Sequence, residues 1–333
     1  MTETVVTRKS DIEAFALWYS AATEIEIRPV ASLEPAPGLC LVRSLASGVS
    51  RGTESTVFSG RVPQSEWQRM RAPHQEGAFP FPVKYGYACT GLVETGPDEL
   101  VGQRVFGLFP HQTHFLAAPD QLHVLPDDIP VERAVLAANM ETALNSLWDG
   151  LPSPGDHICV VGGGVVGLLT AYLAARIPAA NVTVVDTNPG RRYLAEALGA
   201  AFAQPDEAPG NQDLVFHASS TSAGLQTAIT AAGTEATIIE MSWYGTRPVE
   251  LTLGADFHAR RLTLKSSQVG TLPERRRQRW DFRRRLALAL SLLDDPVLDI
   301  LISHRIPFHQ GPERLPDLLN GKADALMPVL IYS

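Results

Sequence analysis

One segment, residues 160–169, constrains the fold of this chain more than any other. It places the pattern Gly-x-Gly-x-x-Gly between a short apolar strand, 158–161, and an apolar helix. Gly162 permits a tight turn out of the strand, Gly164 lets the backbone approach a phosphate, and Gly167 allows helix and strand to pack closely. The pattern in this context predicts a dinucleotide-binding turn.

The pyrophosphate is expected at the start of the helix, where Val165 and Val166 follow the turn, because free N–H groups and the helix dipole both favour an anion there. A second apolar strand, 182–185, ends at Asp186, about 20 residues beyond the glycines. A carboxylate at that point binds the ribose hydroxyls and repels a 2′-phosphate, which favours NAD over NADP. Arg191 lies close enough to accommodate a phosphate, so NADP stays open.

Composition limits the classes of protein to which the chain can belong. The length of 333 residues suggests two domains, and the net charge of −8 argues against nucleic acid or an acidic membrane as a general partner. Neither a targeting segment nor a membrane-spanning run is evident, so cytoplasmic residence is expected. Three widely spaced cysteines offer neither a disulfide framework nor a zinc cluster, and we expect them to be reduced and buried.

The pattern of apolar residues changes twice along the chain. Residues 13–130 alternate short β-type runs with Gly/Pro turns, and an Ala-rich helix is predicted over 131–148. Strands and helices then alternate as in a doubly wound parallel sheet. We therefore predict an α/β protein with a β-rich domain at 1–135, a Rossmann domain at 136–270, and a segment at 271–333 that returns to the first domain.

Several short motifs accompany the glycine turn. They are Ser-Gly-Val-Ser-Arg-Gly-Thr-Glu at 47–54, Gly-Tyr-Ala-Cys-Thr-Gly at 86–91, Val-Gly-Gln-Arg-Val at 101–105 and Ser-Ser-Gln-Val-Gly at 266–270. With them the chain resembles the medium-chain dehydrogenase/reductase superfamily over nearly its whole length, and most closely its bacteriochlorophyllide hydroxyethyl dehydrogenase-like branch. The resemblance implies a GroES-like catalytic domain, a Rossmann domain and a homodimer formed through the edge strand of the nucleotide domain.

The resemblance also implies a catalytic zinc, but the residues that would bind it are missing. The positions of the usual Cys, His, Glu and later ligand are here occupied by Ser50, Tyr87, Ala88 and approximately Ala138. Zinc needs about four N, S or carboxylate donors with one site open for substrate. We therefore expect no catalytic zinc; a substitute site built from His111, His114 and Glu141 is the alternative.

Without zinc, a side chain must polarise or deprotonate the substrate oxygen. Tyr87 stands at the position of a zinc ligand and can donate or relay a proton, or it can simply fill the space. Thr53 is a candidate proton relay, whereas the adjacent Glu54 is expected to brace the loop. His111 can act as acid or base, or bind loop backbone groups. Glu141 can be a buried base or a half-solvated helix residue.

Cofactor contacts are expected where strands of the parallel sheet end. Ser219 follows one strand and is expected beside the adenosine ribose, and Trp243 follows another and is expected beside the nicotinamide. There Trp243 either shapes the substrate pocket or packs at the domain interface. In the superfamily, the loop that contains Gln268 and Val269 presents its backbone to the nicotinamide carboxamide.

Seven arginines between residues 275 and 285 precede leucines spaced three and four apart. This spacing puts Leu286, Leu290 and Leu293 on one helix face, so most of the arginines should face water. The alternative is that part of this surface borders the interdomain cleft and attracts an anionic substrate.

Taken together, these features predict an NAD(P)-dependent oxidoreductase that transfers a hydride between nicotinamide and a carbinol or carbonyl carbon without zinc. The partner is a small-molecule substrate, which can be anionic. Two alternatives remain: a zinc-independent quinone or enoyl reductase, and a non-catalytic NAD-binding protein.

Overall fold

The structure, a computed structural model, describes residues 13–30, 33–34 and 36–333. Within these ranges the strands form three sheets, of four, six and seven strands. No helix in the same ranges is both long enough and apolar enough to cross a membrane.

The N-terminal part is rich in short strands, as the alternating pattern predicted. Two sheets form here, one in the order β2-β1-β5-β4 and one containing β3, β6, β7, β8 and β9. The strands are β1 (Phe15–Ala21), β2 (Glu24–Pro29), β3 (Cys40–Gly48), β4 (Glu76–Gly77), β5 (Val83–Lys84), β6 (Cys89–Thr95), β7 (Arg104–Gly107), β8 (His114–Ala117) and β9 (His123–Val124). The buried side chains of these strands include Leu17, Val42 and Phe106, which belong to three separate hydrophobic clusters.

One helix of this part, α1 (Arg51–Phe58), was not predicted as a helix. It begins directly after β3, and the carboxylate of Glu54 accepts a hydrogen bond from the backbone N–H of Ser50 at the helix N-cap, at 2.7 Å. This contact satisfies an N–H group that a helix leaves without an intrahelical partner. Glu54 therefore braces the loop, as the sequence indicated.

Two helices connect the N-terminal sheets to the next sheet. The single helix predicted over 131–148 is instead α2 (Val131–Ala134) and α3 (Ala137–Gly150), separated at Val135 and Leu136. Both separating residues are fully buried, so the interruption lies in the core.

The central part is the predicted parallel sheet. Its strands are β10 (His157–Val161), β11 (Asn181–Val185), β12 (Ala201–Ala203), β13 (Gln212–His217), β14 (Ala232–Glu240) and β15 (Thr263–Ser266). Helices α4 (Val165–Ala174), α5 (Arg191–Ala197) and α6 (Ser222–Ala231) connect them. The order β12-β11-β10-β13-β14-β15 places later strands on both sides of β10. The sheet therefore reverses its winding at β10, and ligands of such sheets bind beside that point.

The tail consists of α7 (Phe282–Ser291), β16 (Ile302–Pro307), α8 (Gly311–Leu319) and β17 (Met327–Ile331). Strand β17 pairs antiparallel with β3, so the end of the chain joins an N-terminal sheet. The predicted leucine face of α7 is confirmed, since Leu286, Leu290 and Leu293 are all buried.

Candidate active site

A cleft of about 760 Å³ separates the parallel sheet from the N-terminal sheets. It is lined by the glycine turn before α4, the start of α1, the ends of β13 and β14, and the segment between α8 and β17. Because β10 is the reversal point of the sheet, the cleft lies where a ligand of this fold is expected.

Each glycine of the turn has a distinct surrounding. Gly162 has a φ of +113°, and a Cβ added there would lie 2.7 Å from the backbone nitrogen of Ser219. A Cβ on Gly167 would lie only 1.9 Å from the carbonyl oxygen of Gly162. Around Gly164, by contrast, an added Cβ would meet nothing within 4 Å, and this residue lines the cleft. The turn thus leaves space for a phosphate at the N-terminus of α4.

One end of the cleft is organised by Asp186, at the end of β11. Its carboxylate accepts hydrogen bonds from the backbone N–H groups of Gly163, at 2.6 Å, and Asn188, at 2.8 Å. Arg191 also lines the cleft, but its guanidinium forms an ion pair with Asp324. The carboxylate of Asp186 is therefore fixed in position, and the arginine considered for a 2′-phosphate is already paired.

Tyr87 lines the opposite wall of the cleft, together with Thr53 and Ser50. Burial, followed by the nearby charge of Glu54, raises the pKa of Tyr87 to about 12, although the neighbouring hydroxyls of Ser50 and Thr53 oppose the effect. The phenol is therefore protonated at neutral pH and can act as a hydrogen-bond donor.

Asn139, on α3, lines the cleft near Ser50. Its amide nitrogen donates to the hydroxyl of Ser50 at 3.2 Å, while its amide oxygen is buried and has no hydrogen-bond partner. A buried carbonyl-type oxygen without a partner is costly, so its presence at the cleft wall indicates a ligand that donates to it.

His111 lies behind this wall and does not line the cleft. The ring is fully buried, with Nε2 3.0 Å from the carboxylate of Glu54 and Nδ1 2.7 Å from the hydroxyl of Ser47. Tyr19 also donates to Glu54, at 2.6 Å, and the hydroxyl of Tyr332 lies 2.7 Å from that of Ser47. His111 thus reaches the cleft only through Glu54, which holds the backbone of Ser50.

Glu141 is also placed away from the cleft. Its carboxylate forms an ion pair with Arg285 at 3.0 Å, and although this arginine opposes the effect, burial raises the pKa of Glu141. Arg285 also donates to the side chain of Asn145 and to the carbonyl oxygen of Val269. Neither Val269 nor Gln268 lines the cleft. These contacts tie α3, α7 and the 266–270 loop together.

The ends of β13 and β14 hold a polar cluster that positions Ser219, which lines the cleft. The ring of His217 lies 2.6 Å from the hydroxyl of Ser219 and 2.8 Å from the carboxylate of Glu240. Although burial opposes the effect, the hydrogen bond and charge of His217 lower the pKa of Glu240, and Tyr244 also donates to this carboxylate. Trp243, which follows β14, lines the cleft as well.

The side chains around Tyr87 do not suit zinc. Ser50, Tyr87 and Asn139 offer hydroxyls and an amide, whereas zinc in proteins is bound by thiolate, imidazole and carboxylate. Throughout the described ranges, no group of three or more His, Cys, Asp or Glu side chains could hold a metal ion. His111, His114 and Glu141 therefore do not form the substitute site.

The arginines of the tail do not border the cleft, so that alternative is wrong. None of the seven lines it. Arg276 lies over the ring of Trp148 at 4.8 Å, and Arg284 lies over that of Trp280 at 3.9 Å. Most of the seven are exposed, as predicted, but Arg285 is buried by its pairing with Glu141. Helical periodicity could not reveal that partner, since the two residues are 144 positions apart.

Several charged residues that line the cleft were missed by the sequence analysis. They are Arg51, Arg61, Arg247 and Asp324. Only Arg51 lies within a motif that the sequence singled out, between Ser50 and Thr53. The other three had no local signal, because the fold brings them together from distant segments.

Comparisons with known proteins agree with this architecture. No protein-family model matches the chain. The geraniol dehydrogenase of Castellaniella defragrans is 34% identical over 138 residues, which are 39% of this chain and 36% of that protein. The 2-desacetyl-2-hydroxyethyl bacteriochlorophyllide A dehydrogenase of Cereibacter sphaeroides is 30% identical over 206 residues, 54% of this chain and 59% of that protein. The matches thus span less than two thirds of these relatives.

A solved structure covers much more of the fold. It is a dehydrogenase assigned to the zinc-binding kind, from Sinorhizobium meliloti 1021, bound to NADP. With 20% identity, it aligns over 96% of this chain and 99% of its own, with a TM-score of 0.75. The chain therefore has the fold of this dehydrogenase. It is the predicted α/β fold with a GroES-like and a Rossmann domain.

Proposed function

We propose that the protein is an NAD-preferring oxidoreductase that transfers a hydride between nicotinamide and a carbinol or carbonyl carbon, without a catalytic zinc. The observation that carries the proposal is a single cleft with the glycine turn on one wall and Tyr87 and Asn139 on the other. The named relatives, a geraniol dehydrogenase and a bacteriochlorophyllide dehydrogenase, support hydride transfer to or from an oxygen-bearing carbon.

The cleft suits a dinucleotide. The open space beside Gly164 accepts a pyrophosphate, and the N-terminus of α4 supplies N–H groups to bind it. Asp186, held by two backbone N–H groups, is placed to bind ribose hydroxyls and to repel a 2′-phosphate. When bound, nicotinamide supplies or accepts the hydride.

The chain's own residues would act on the substrate oxygen. Tyr87, whose pKa of about 12 keeps it protonated, donates a hydrogen bond to a carbonyl oxygen and stabilises the negative charge that develops there during reduction. Ser50 and Thr53 line the cleft beside the phenol and can pass a proton to it. The unpartnered amide oxygen of Asn139 accepts a hydrogen bond from a hydroxyl of the substrate.

Zinc independence rests on the chemistry of these donors. Neutral hydroxyls and an amide are poor zinc ligands, and the acidic and imidazole groups nearest to them, Glu54 and His111, are already bonded to each other behind the wall. No step of the proposed reaction uses a metal. Metal analysis of the purified protein that finds one zinc per chain, lost together with activity on chelation, would refute this part.

The test is reduction of a panel of aldehydes, ketones and enones with NADH and NADPH, comparing Tyr87→Phe with Tyr85→Phe. Tyr85 is an adjacent buried tyrosine that does not line the cleft, so it is a matched control. We expect Tyr87→Phe to lower kcat by about 100-fold and Tyr85→Phe to change it little. Reduction of only the enones would favour an enoyl reductase, and NADH binding without turnover would favour a non-catalytic protein.

The pH dependence provides a second readout of Tyr87. Burial favours the neutral phenol, so Tyr87 should still donate its hydrogen bond above pH 10, the ordinary pKa of a tyrosine. The donation should be lost only as the pH approaches about 12. The rate of carbonyl reduction by NADH should therefore show no decline assignable to Tyr87 up to pH 10. A decline with a midpoint near pH 9 that disappears in Tyr87→Phe would contradict the proposed role.

A further inference from the structure

Buried polar atoms without partners are concentrated at the cleft. In the described part of the chain, three buried side-chain nitrogen or oxygen atoms have no hydrogen-bond partner, in Arg61, Gln75 and Asn139. Two of these residues, Arg61 and Asn139, line the cleft. The proposed function uses the amide oxygen of Asn139, but it leaves the Nε of Arg61 unexplained.

Arg61 lies near a second arginine, Arg247, which also lines the cleft. Their segments are joined through the backbone, since the N–H of Thr246 donates to the carbonyl oxygen of Arg61 at 3.0 Å. Burial, followed by the charge of Arg247, lowers the pKa of Arg61, so the two cations disfavour each other. Neither forms an ion pair with any carboxylate in the described ranges, and the Nε of Arg247 donates only to the carbonyl oxygen of Tyr244. Two adjacent guanidinium groups without a carboxylate are stabilised by a bound anion.

The pair is remote from the part of the cleft that suits adenosine. Arg247 follows β14, while Asp186 directly follows β11, three places away in the sheet. Neighbouring strands lie about 4.8 Å apart, so about 14 Å separate the two strands. Arg61 and Arg247 instead lie with Trp243 and Thr56, on the side that remains for a substrate.

The charges of the cleft lead to the same conclusion. Its lining includes four arginines but only two aspartates, in a protein whose net charge is −8. Both aspartates, Asp186 and Asp324, are at the adenosine end, where Asp324 pairs with Arg191. The uncompensated positive charge therefore lies at Arg61 and Arg247, where it attracts an anion.

We propose that Arg61 and Arg247 form a subsite that binds a carboxylate or phosphate group carried by the substrate. The planar guanidinium groups can bind either anion through paired N–H···O bonds. This inference rests on the proposed function, because it assigns the non-reacting end of the substrate in the same cleft. On this proposal Arg61 and Arg247, and not the arginines of the tail, give the cleft a preference for anionic substrates.

The test is calorimetric titration of the NADH-saturated protein with sodium succinate and, separately, with inorganic phosphate, at constant ionic strength. The variants are Arg61→Gln, Arg247→Gln and their combination, and the control is Arg276→Gln/Arg279→Gln in the tail. We expect one anion to bind per chain, each single substitution to weaken binding about tenfold, and the control to bind like the wild type. The substitutions should weaken the binding of one anion, succinate or phosphate, more than that of the other, and that anion identifies the group as a carboxylate or a phosphate.

The NADH affinity of each preparation reports whether the variant has folded. Arg247 is exposed, so Arg247→Gln keeps the test decisive even if a change at Arg61 disturbs the fold. If neither anion binds the wild-type complex, or if the double variant binds both as tightly as the wild type, the subsite is refuted.

A kinetic arm separates this inference from the proposed function. The ratio of kcat/KM for an ω-hydroxy acid to that for the alkanol of equal length should fall about tenfold in Arg247→Gln, mainly through KM. An unchanged ratio would refute the subsite. Absence of any hydride transfer would refute the proposed function instead, while the calorimetric arm would still decide on anion binding.

Discussion

The same substitution should affect stability at one glycine of the turn and NADH binding at another. A methyl group on Gly167 would lie 1.9 Å from the carbonyl oxygen of Gly162, more than 1 Å inside any normal contact. Since both atoms belong to the backbone framework, helix α4 must move away from β10. Overpacking of this kind costs about 3 kcal/mol, so we expect Gly167→Ala to lower the free energy of unfolding by that amount.

Gly164→Ala should leave stability nearly unchanged. The added Cβ meets no atom, and the φ of −76° suits alanine. Loss of a favourable N-cap residue lowers the free energy of unfolding by up to about 1 kcal/mol, whereas the smaller entropy of the unfolded chain raises it by a similar amount. The methyl group would occupy the space assigned to the pyrophosphate, however. Losing one hydrogen bond to a charged group weakens NADH binding by about 10- to 100-fold.

The assay combines thermal unfolding followed by circular dichroism with fluorescence titration of NADH. Gly254→Ala is the control, because Gly254 lies outside the cleft and an added Cβ there meets nothing within 4 Å. A Gly164→Ala variant that binds NADH like the wild type would refute the placement of the pyrophosphate. A Gly167→Ala variant as stable as the wild type would refute the packing argument.

Three further predictions follow from other contacts. Asp186→Ser removes the carboxylate that would repel a 2′-phosphate. It should raise the ratio of kcat/KM for NADPH to kcat/KM for NADH at least about tenfold. An unchanged ratio would count against the role of Asp186. Arg285→Met should lower the free energy of unfolding, measured in urea, by about 3–5 kcal/mol, because it leaves the buried carboxylate of Glu141 without its ion-pair partner. Adding Glu141→Met to this variant should recover part of the lost stability. Burial raises the pKa of Cys40 and brings the pKa of both Cys89 and Cys159 to about 12. A thiol reagent at pH 8 should therefore modify none of the three cysteines in the folded protein and all three after denaturation. Rapid labelling of the native protein would contradict this expectation.

Some features of the site were predictable because their signal is local. The strand, turn and helix around Gly162 to Gly167 occupy about ten consecutive residues, and steric requirements of that short unit fix which positions must be glycine. The parallel sheet follows from alternating strands and helices, and the carboxylate of Asp186 follows from its place at the end of a strand. The same local comparison identified Tyr87 where a metal ligand is usual, and the structure places it on the cleft wall.

The sequence by itself therefore determined the fold class, the turn that suits a dinucleotide, and the tyrosine at position 87 where a metal ligand is usual. Only the tertiary structure decided how the other charged and polar side chains are paired. It joined His111 to Glu54, 57 residues away, and Glu141 to Arg285, 144 residues away, and it brought Arg61 beside Arg247. Such pairs leave no periodic pattern, because long-range packing, and not the backbone geometry of one element, brings them together. The glycine turn is therefore recognisable from a local pattern, whereas the other polar and charged side chains of the cleft come together from distant segments.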